Sequence, residues 1–205
     1  MPQSLRKTCL AALAGLAIAM HFVNPAAAFD PQAAVTLIDE AFVKEIRGWL
    51  QVPVVLISVE AQNKRYAAIE QSKIDELDKQ WQAERKERNQ PLIAAVLSNP
   101  LSSYLTQIQA ASDGLYTEIF VVDNKGLNVG QSSITSDYWQ GDEAKFKKTY
   151  PAGPIAVFVD KAELEEKSKT WRTQVSLTVT DAAGKAIGAV TIEVNLTELA
   201  RLRNG

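Results

Sequence analysis

Hydrophobic residues recur at intervals of three and four between residues 31 and 50, which is the spacing of one face of an α-helix. The positions on this face are Ala34, Leu37, Ile38, Ala41, Phe42, Ile46 and Leu50. Pro31 lies near the start of the pattern, where proline is tolerated because the first helical N–H groups have no partner within the helix. The pattern therefore predicts an amphipathic helix that begins near Pro31.

Further helical segments are predicted as far as Gly114. Helix starts are expected just after Pro53, at Ser72 and at Pro91, and Pro100 interrupts the last segment before it resumes. The charged run ERKERNQ at residues 84–90 fits the solvated end of a helix. The first half of the chain is thus predicted to be helical, without internal repeats.

The hydrophobic period changes to two at Leu115, which is typical of β-strands. The segments YTEIFVVD and LNVGQS predict one hairpin, with Asp123 and Gly126 in the first and fourth places of a type I turn. The segments TQVSLTVT and AIGAVTIEVNL predict a second hairpin, with the same turn chemistry from Asp181 to Gly184. Between the hairpins lie TSDYWQGDEAKFKKTY, predicted as a short helix, and the strand PIAVFVD.

Helices followed by an antiparallel meander indicate an α+β fold, in which the amino-terminal helices pack on a five-stranded antiparallel sheet. The chain shows no alternation of strand and helix with a glycine-rich turn, so a nucleotide-binding doubly wound sheet is not supported. The predicted divisions are a signal peptide at residues 1–28, a helical region at 29–114 and a sheet at 115–205. Residues 29–205 are expected to form one domain.

The amino-terminal end of the chain has the pattern of an export signal. Arg6 and Lys7 precede the apolar residues 10–20, and Ala26 and Ala28 occupy the small-residue positions of an A-x-A cleavage site. The apolar run is shorter than the roughly 18 to 20 residues that a membrane-spanning helix needs. The sequence therefore predicts a periplasmic protein with a cleaved signal peptide, and an uncleaved anchor is the alternative.

Removal of the predicted signal also removes Cys9 and His21, the one cysteine and the one histidine of the sequence. The remaining chain lacks the thiol and imidazole that Ser-His-Asp catalysis, Cys-His catalysis and the usual zinc sites require. No pair of nucleophile and base is evident, so we predict no catalytic residues and no enzymatic activity. The DNKG turn at residues 123–126 lacks the alternating oxygen ligands of a calcium loop, and neither a metal nor a cofactor is predicted.

The charge of the chain argues against nucleic acid as a partner. The formal net charge is −2, and loss of Arg6 and Lys7 changes it to −4. The sequence contains no basic tract. A mildly acidic surface of this kind does not favour binding to nucleic acid or to an anionic membrane.

Two stretches carry a resemblance to a known family. They are TEIFVVDNKGLNVGQSSITSDYWQGDEAKF and VSLTVTDAAGKAIGAVTIEVNLTEL. Their order of strand, D-x-x-G turn, strand, aromatic and acidic segment, and closing hairpin resembles the extracytoplasmic PAS-like sensor domains called Cache or PDC domains. The resemblance covers residues 116–199, and the helical front agrees in character. It implies a long amino-terminal helix, about five antiparallel strands, and a ligand pocket roofed by the segment between the second and third strands.

The resemblance gives the stretch TSDYWQGDEAKF the role of pocket roof. An aromatic ring over an acidic side chain is suited to a small cation or to the ammonium group of a zwitterion. The residues predicted to contact a ligand are Ser133, Asp137, Tyr138, Trp139, Asp142, Asp160 and Arg172. The alternative is structural, with Trp139 filling the core, Asp137 capping a helix and Arg172 exposed on its strand.

Two functions follow as hypotheses. The first is a free-standing periplasmic sensor module that binds a small polar metabolite, such as an amino acid, an amine or a carboxylate. Signalling would then need a separate membrane receptor or kinase, because Cache domains most often sit between two membrane helices and no second apolar segment is present before Gly205. The second is a structural or interaction protein of the same fold that dimerises through its helices and binds no ligand.

Overall fold

The computed structural model describes residues 29–204, and the predicted signal peptide lies outside this part of the chain. Its helices are α1 (Pro31–Val35), α2 (Glu40–Leu50), α3 (Pro53–Arg65), α4 (Gln71–Glu84), α5 (Pro91–Leu97), α6 (Pro100–Ala111), α7 (Ala144–Lys147) and α8 (Leu196–Asn204). Its strands are β1 (Tyr116–Val122), β2 (Asn128–Gln131), β3 (Val157–Val159), β4 (Glu163–Glu165), β5 (Thr170–Thr180) and β6 (Ala186–Asn195). Within residues 29–204, no helix is both long and apolar enough to cross a membrane.

The helix predicted from Pro31 to Leu50 is divided into α1 and α2. The Asp39 side chain accepts a hydrogen bond of 2.8 Å from the N–H of Phe42 and so caps a new helix at this point. A similar cap was not recognised near the carboxyl end, where Asn195 Oδ1 accepts from the N–H of Glu198 and α8 begins. Side-chain caps therefore set two helix boundaries that the hydrophobic spacing does not show.

The predicted antiparallel sheet is present and has the strand order β2-β1-β6-β5-β3. The sixth strand, β4, was not predicted, and it pairs with β5 near Trp171. Both predicted D-x-x-G turns are formed, since the N–H of Gly126 bonds the carbonyl of Asp123 at 3.1 Å and the N–H of Gly184 bonds that of Asp181 at 2.9 Å. The α+β prediction is confirmed, with one short strand added at the edge of the predicted five.

One face of the sheet carries the main hydrophobic core. Helix α2 contributes Phe42, Ile46 and Leu50, which lie one helical turn apart and are at most 4% exposed. The sheet residues of this core are Tyr116, Ile119, Val121, Val129, Val175, Leu177, Val179, Ile187, Val190, Ile192 and Val194. Alternation along β5 and β6 sends these side chains toward the helices and their neighbours toward the opposite face.

The opposite face of the sheet, here called the second face, is apolar at one end and polar at the other. At the apolar end, Phe120, Val122 and Ala189 are covered by Phe146 from α7, whose ring stacks on Tyr150 with centroids 5.5 Å apart. The polar end starts at a buried pair of hydroxyls, Ser176 and Thr191, 3.0 Å apart. Helix α7 therefore covers only part of the second face.

Of residues 135–150, predicted as a short helix, Ala144–Lys147 form α7, whereas residues 135–140 are not helical because α4 holds them. Asp78 Oδ1 accepts hydrogen bonds from the backbone N–H groups of Tyr138 (2.9 Å) and Trp139 (3.0 Å). Trp81, which is fully buried, donates from its indole nitrogen to the carbonyl of Thr135 at 3.0 Å and stacks on the Tyr138 ring with centroids 5.5 Å apart. Both contacts join positions more than fifty residues apart in the sequence.

The same segment pairs with the turn between β1 and β2. The N–H of Asn128 bonds the carbonyl of Tyr138 at 3.0 Å, and the N–H of Gln140 bonds the carbonyl of Gly126 at 2.7 Å. Gly126 has φ +83°, and a Cβ there would lie 2.6 Å from the Cα of Gly141, so only glycine fits this close approach. Tyr138 and Trp139 are thereby fixed on the helical side of the molecule.

Replacing Asp78 by alanine tests this attachment. The Asp78→Ala variant should lower the free energy of unfolding by about 2 to 3 kcal/mol, because two backbone N–H groups lose a charged acceptor. The measurement is urea unfolding followed by circular dichroism, with the midpoint and the m-value fitted together. Asp75→Ala is the matched control, since Asp75 is exposed on the same helix and its carboxylate accepts only from Gln71. Equal effects of the two changes would contradict the assigned role of Asp78.

Candidate functional site

The polar end of the second face opens into a cavity of about 190 Å³, here called the charged cavity. It lies between the sheet, the start of α7 and the chain that follows β3. Its lining residues are Glu143, Lys145, Asp160, Lys161, Glu163, Arg172, Thr173, Gln174 and Glu193. Ionisable side chains of both signs thus surround one small space.

Strand register explains why these side chains meet. Glu193 of β6 lies opposite Glu118 of β1 on one side and opposite Gln174 of β5 on the other. The N–H of Asp160 bonds the carbonyl of Gln174 at 2.9 Å, which continues the row beyond β5. Opposite positions on antiparallel strands place their Cβ atoms about 5 Å apart, so the row forms a continuous polar floor.

Arg172 and Glu193 form a partly buried ion pair in the wall of the charged cavity. Arg172 Nη1 lies 2.8 Å from Glu193 Oε2, and the two side chains are 23% and 27% exposed. Glu193 also accepts from the Thr117 hydroxyl, and Arg172 Nη2 donates to Ser168 Oγ at 3.2 Å. By contrast, the Lys161–Glu163 pair at the rim is 75% and 69% exposed, so water screens it strongly. The guanidinium is therefore held in place within the cavity wall.

The roof of the charged cavity contributes a second pair. Lys145 of α7 lies 2.9 Å from Glu143 Oε2, with the lysine side chain only 11% exposed. The same ammonium lies 5.3 Å from the centre of the Phe120 ring, a distance at which cation–π attraction operates. The Lys145 ammonium is thus held between Glu143 on the roof and the Phe120 ring on the second face.

Hydrogen bonds hold the backbone of Asp160, whereas its carboxylate makes few contacts. Its carbonyl accepts from the Thr173 hydroxyl at 2.7 Å, and its Oδ1 accepts from the N–H of Lys161 at 2.8 Å. Within residues 29–204, no cationic side chain lies at ion-pairing distance from it. A carboxylate in this state can accept a hydrogen bond from a bound ammonium group.

Glu118 adds a titrating group beside the charged cavity. Burial, and then the negative charge of Glu193, raise the pKa of Glu118 to about 7, while Lys145 and Arg85 act in the opposite direction. Two adjacent carboxylates disfavour each other's ionised form, so Glu118 holds a proton at mildly acidic pH. The electrostatic potential on this part of the second face therefore changes near neutral pH.

The structure brings two of the seven predicted ligand residues to the charged cavity, Asp160 and Arg172. The aromatic pair does not roof it, because Tyr138 is stacked on Trp81 and Trp139 donates to the carbonyl of Lys125 at 2.8 Å. The roof comes instead from residues 143–145, in the last part of the predicted stretch.

The other three predicted residues lie outside the lining of the charged cavity. Asp137 accepts from the Gln82 side chain at 3.0 Å, which ties it to α4. Asp142 is exposed, and its carbonyl accepts from the Lys147 ammonium. Ser133 is half-buried in the segment that precedes these contacts.

Sequence reasoning missed Glu118, Lys145, Gln174 and Glu193. A usable signal was present, because Glu118 and Glu193 interrupt two strands that are otherwise mainly apolar, YTEIFVV and AIGAVTIEVN. A charged residue inside such a strand must face solvent, a partner or a site. What the pattern does not give is the register that places the two glutamates side by side.

Among solved structures, this chain is similar to sensory domains of chemoreceptors and of histidine kinases. The sensory domain of the Campylobacter jejuni chemoreceptor Tlp3 is 15% identical, with 84% of this chain and 68% of that chain covered and a TM-score of 0.39. The ligand-binding domain of the Pseudomonas aeruginosa PAO1 amino acid chemoreceptor PctC, in complex with GABA, is 15% identical, covering 80% and 64% with a TM-score of 0.35. The sensor domain of the V. cholerae histidine kinase DctB is 14% identical, covering 72% and 58% with a TM-score of 0.36.

The chain thus spans 58% to 68% of the length of these three structures. All three are sensory, sensor or ligand-binding domains. No family model and no curated protein matches the chain.

The raised pKa of Glu118 predicts a specific pH dependence of stability. In the unfolded chain the carboxyl has a pKa of 4.5, and in the folded protein it has a pKa of about 7. Between these values the folded state binds more protons, so this group's contribution to stability is complete below pH 4.5 and is lost as pH rises through about 7. In Glu118→Gln this loss is absent, and the variant should gain stability relative to the unchanged protein across that interval.

The measurement is urea unfolding of both proteins at closely spaced values from acid to mildly alkaline pH. Their difference in unfolding free energy should rise up to about pH 7 and stay level above it. Glu87→Gln is the control for the loss of one exposed carboxylate. Parallel stability curves for the unchanged protein and Glu118→Gln would show that Glu118 does not titrate in this way.

Proposed function

We propose that the protein is a periplasmic sensor module that binds a small zwitterionic metabolite, such as an amino acid, in the charged cavity. The observation that supports this most directly is the combination of Asp160 and Arg172 in the lining of one polar cavity. Asp160 provides a carboxylate for the ammonium group of the ligand, and Arg172 provides a cation for its carboxylate. Signal transfer would pass through a separate membrane receptor or kinase.

The balance of charge favours a zwitterion over a simple anion or cation. Four carboxylates line the charged cavity, those of Glu143, Asp160, Glu163 and Glu193, together with the cations of Lys145, Lys161 and Arg172. Within the protein the three cations are already paired with Glu143, Glu163 and Glu193, so a ligand meets the Asp160 carboxylate on one half of the charged cavity and the remaining N–H donors of Arg172 on the other. A molecule with both charges satisfies both halves.

Arg172 has N–H donors to spare, which supports its assignment to the ligand carboxylate. A guanidinium has five N–H donors, and the contacts to Glu193, Ser168 and Thr170 involve one donor on each of its three nitrogens. Two N–H donors remain for a ligand. The ion pair with Glu193 also fixes the guanidinium plane before binding, which lowers the entropic cost of recognition.

The size of the charged cavity limits the ligand. Its volume of about 190 Å³ is below the roughly 300 Å³ at which sites for drug-sized molecules begin. A small amino acid or a short amine fits this limit better than a sugar or a nucleotide. Isoleucine and GABA, present in the Tlp3 and PctC complexes, are suitable members of a test panel.

A second candidate function is an interaction protein that dimerises through its helices. It is favoured by an apolar groove formed by Ile38, Val43 and Val157 beside α2, and by Ile155, which is 84% exposed nearby. Under this alternative the charged cavity would have only a structural role.

The experiment is thermal unfolding of residues 29–205 in the presence of single amino acids and amines. A ligand at 100 times its dissociation constant stabilises the folded state by about 2.7 kcal/mol, which is a readily measured shift. At least one zwitterion should raise the melting temperature, and its amide or ester analogue, lacking the carboxylate charge, should do so far less. A panel without any shift, together with a dimer in sedimentation analysis, would favour the interaction protein instead.

Variants then assign the contacts. Asp160→Asn and Arg172→Gln should each weaken binding of the active compound about tenfold to a hundredfold, since each removes a charge-assisted hydrogen bond. Asp142→Asn is the matched control, because Asp142 lies in the predicted stretch but is exposed outside the charged cavity. Unchanged affinity in both cavity variants would exclude the charged cavity as the binding site.

A further inference from the structure

A second cavity of about 320 Å³ lies on the helical side of the molecule and is here called the helical cavity. Helices α3 and α5 form its walls, and Val129 of β2 and the Tyr138 ring also line it. It shares no lining residue with the charged cavity. The hypothesis for the charged cavity therefore does not account for it.

The charged residues that line the helical cavity have one sign only, whereas those of the charged cavity have both signs. Arg65, near the end of α3, is its only ionisable lining residue apart from the two tyrosines, and no carboxylate lines it. Arg65 forms no ion pair within residues 29–204. A guanidinium without a protein counter-ion, at the edge of a concave space, favours an anion.

Two phenol groups lie close to Arg65. Tyr138 is 2% exposed, and its burial raises the pKa of its hydroxyl far above the ordinary range, with the neighbouring Tyr66 as the next cause. The Tyr138 hydroxyl therefore stays protonated and remains a hydrogen-bond donor. Its position is fixed in advance by the stacking on Trp81 and by the bond from its backbone N–H to Asp78.

The amide groups of the helical cavity are already engaged by the protein. Gln62 Nε2 donates to Asp123 Oδ2 at 3.0 Å, and Asn99 Nδ2 donates to the carbonyl of Val129 at 2.7 Å. The remaining wall is largely apolar, with Leu92 and Ala95 of α5 among its members. The polar groups suited to a ligand are thus concentrated around Arg65, and the rest of the space suits an apolar body.

We propose that the helical cavity binds a small monocarboxylate with an apolar body. The carboxylate accepts from the Arg65 guanidinium and from the hydroxyls of Tyr66 and Tyr138, and the apolar part of the ligand packs against α5. The volume of about 320 Å³ lies at the lower end of the roughly 300 to 1,000 Å³ that is usual for ligand sites, so a ring or a short branched chain is the size expected.

Benzoate is the test probe, with benzamide as its neutral counterpart and benzylamine as its cationic one. Isothermal titration of residues 29–205 should show binding of benzoate, with benzamide at least about tenfold weaker because it lacks the charge-assisted bonds. Benzylamine should not bind. Amide chemical shift changes should be concentrated in α3, α5 and residues 127–139.

Arg65→Gln should weaken benzoate binding about tenfold to a hundredfold. Lys64→Gln is the matched control, since Lys64 is the exposed neighbour on the same helix and does not line the helical cavity. Ala95→Trp, at an exposed position of the wall, should block the helical cavity without loss of folding. Asp160→Asn should leave benzoate affinity unchanged, which separates this site from the charged cavity.

Absence of benzoate binding up to about 10 mM would overturn the proposal, since a dissociation constant of that size corresponds to a binding free energy of only about 3 kcal/mol. Equal affinity for benzamide, an Arg65→Gln variant that binds like the unchanged protein, or shifts confined to the second face of the sheet would also overturn it. Comparison of Arg65→Gln with Lys64→Gln distinguishes a bound carboxylate from general attraction to the basic side chains in the last turn of α3.

Discussion

The two hydrogen bonds that the backbone N–H groups of Tyr138 and Trp139 donate to Asp78 determine on which side of the sheet the aromatic segment lies. They hold the chain after β2 against α4, so that the most aromatic segment of the sequence serves the helical side. The buried Trp81 reinforces the attachment by stacking on Tyr138. With the aromatic segment fastened there, the second face of the sheet is covered at its apolar end by Phe146 of α7 and by Tyr150, and the polar end of that face remains open as a cavity. A carboxylate on α4 thus decides which side chains surround a site on the other side of the sheet.

The sheet separates two spaces of different chemistry. On the second face, paired charges of both signs meet because strand register aligns Glu118, Glu193 and Gln174 in one row. On the helical side, the helical cavity has a single guanidinium, two phenols and an apolar wall. Between the two spaces, the β-branched residues of β5 and β6 form a dry core in which neither charge would be stable. Under the two proposals, each cavity would select its ligand independently, the first by the match of two opposite charges and the second by one charge and an apolar shape.

Much of the architecture could be predicted from short-range patterns, because helical spacing, strand alternation and the D-x-x-G turns are local properties of the sequence. Asp123 illustrates this, since its carboxylate accepts from the N–H groups of Lys125 and Leu127 within the same turn. The orientation of Tyr138 and Trp139 could not be predicted in the same way, because it depends on residues of α4 about sixty positions earlier. The row of Glu118 and Glu193 needs the pairing of β1 with β6, which are also distant in sequence. Asp160 and Arg172 could be singled out because each is a charged residue that ends or begins a recognisable strand.

The position of Arg172 links the charged cavity to the carboxyl-terminal helix. Arg172 lies opposite Asn195 in the pairing of β5 with β6, and the Asn195 side chain caps α8 through the N–H of Glu198. The preceding residue, Trp171, donates from its backbone N–H to the Thr197 hydroxyl at 3.0 Å, so β5 also contacts the first turn of α8 directly. If a ligand carboxylate competes with Glu193 for the guanidinium, the Arg172 side chain shifts. This shift acts on the ends of β5 and β6, where Asn195 caps α8. Because a capped helix start has a defined geometry, a small displacement of Asn195 would alter the direction in which α8 leaves the sheet. On the proposed function, α8 is therefore a helix that occupancy of the charged cavity reaches through the ends of β5 and β6.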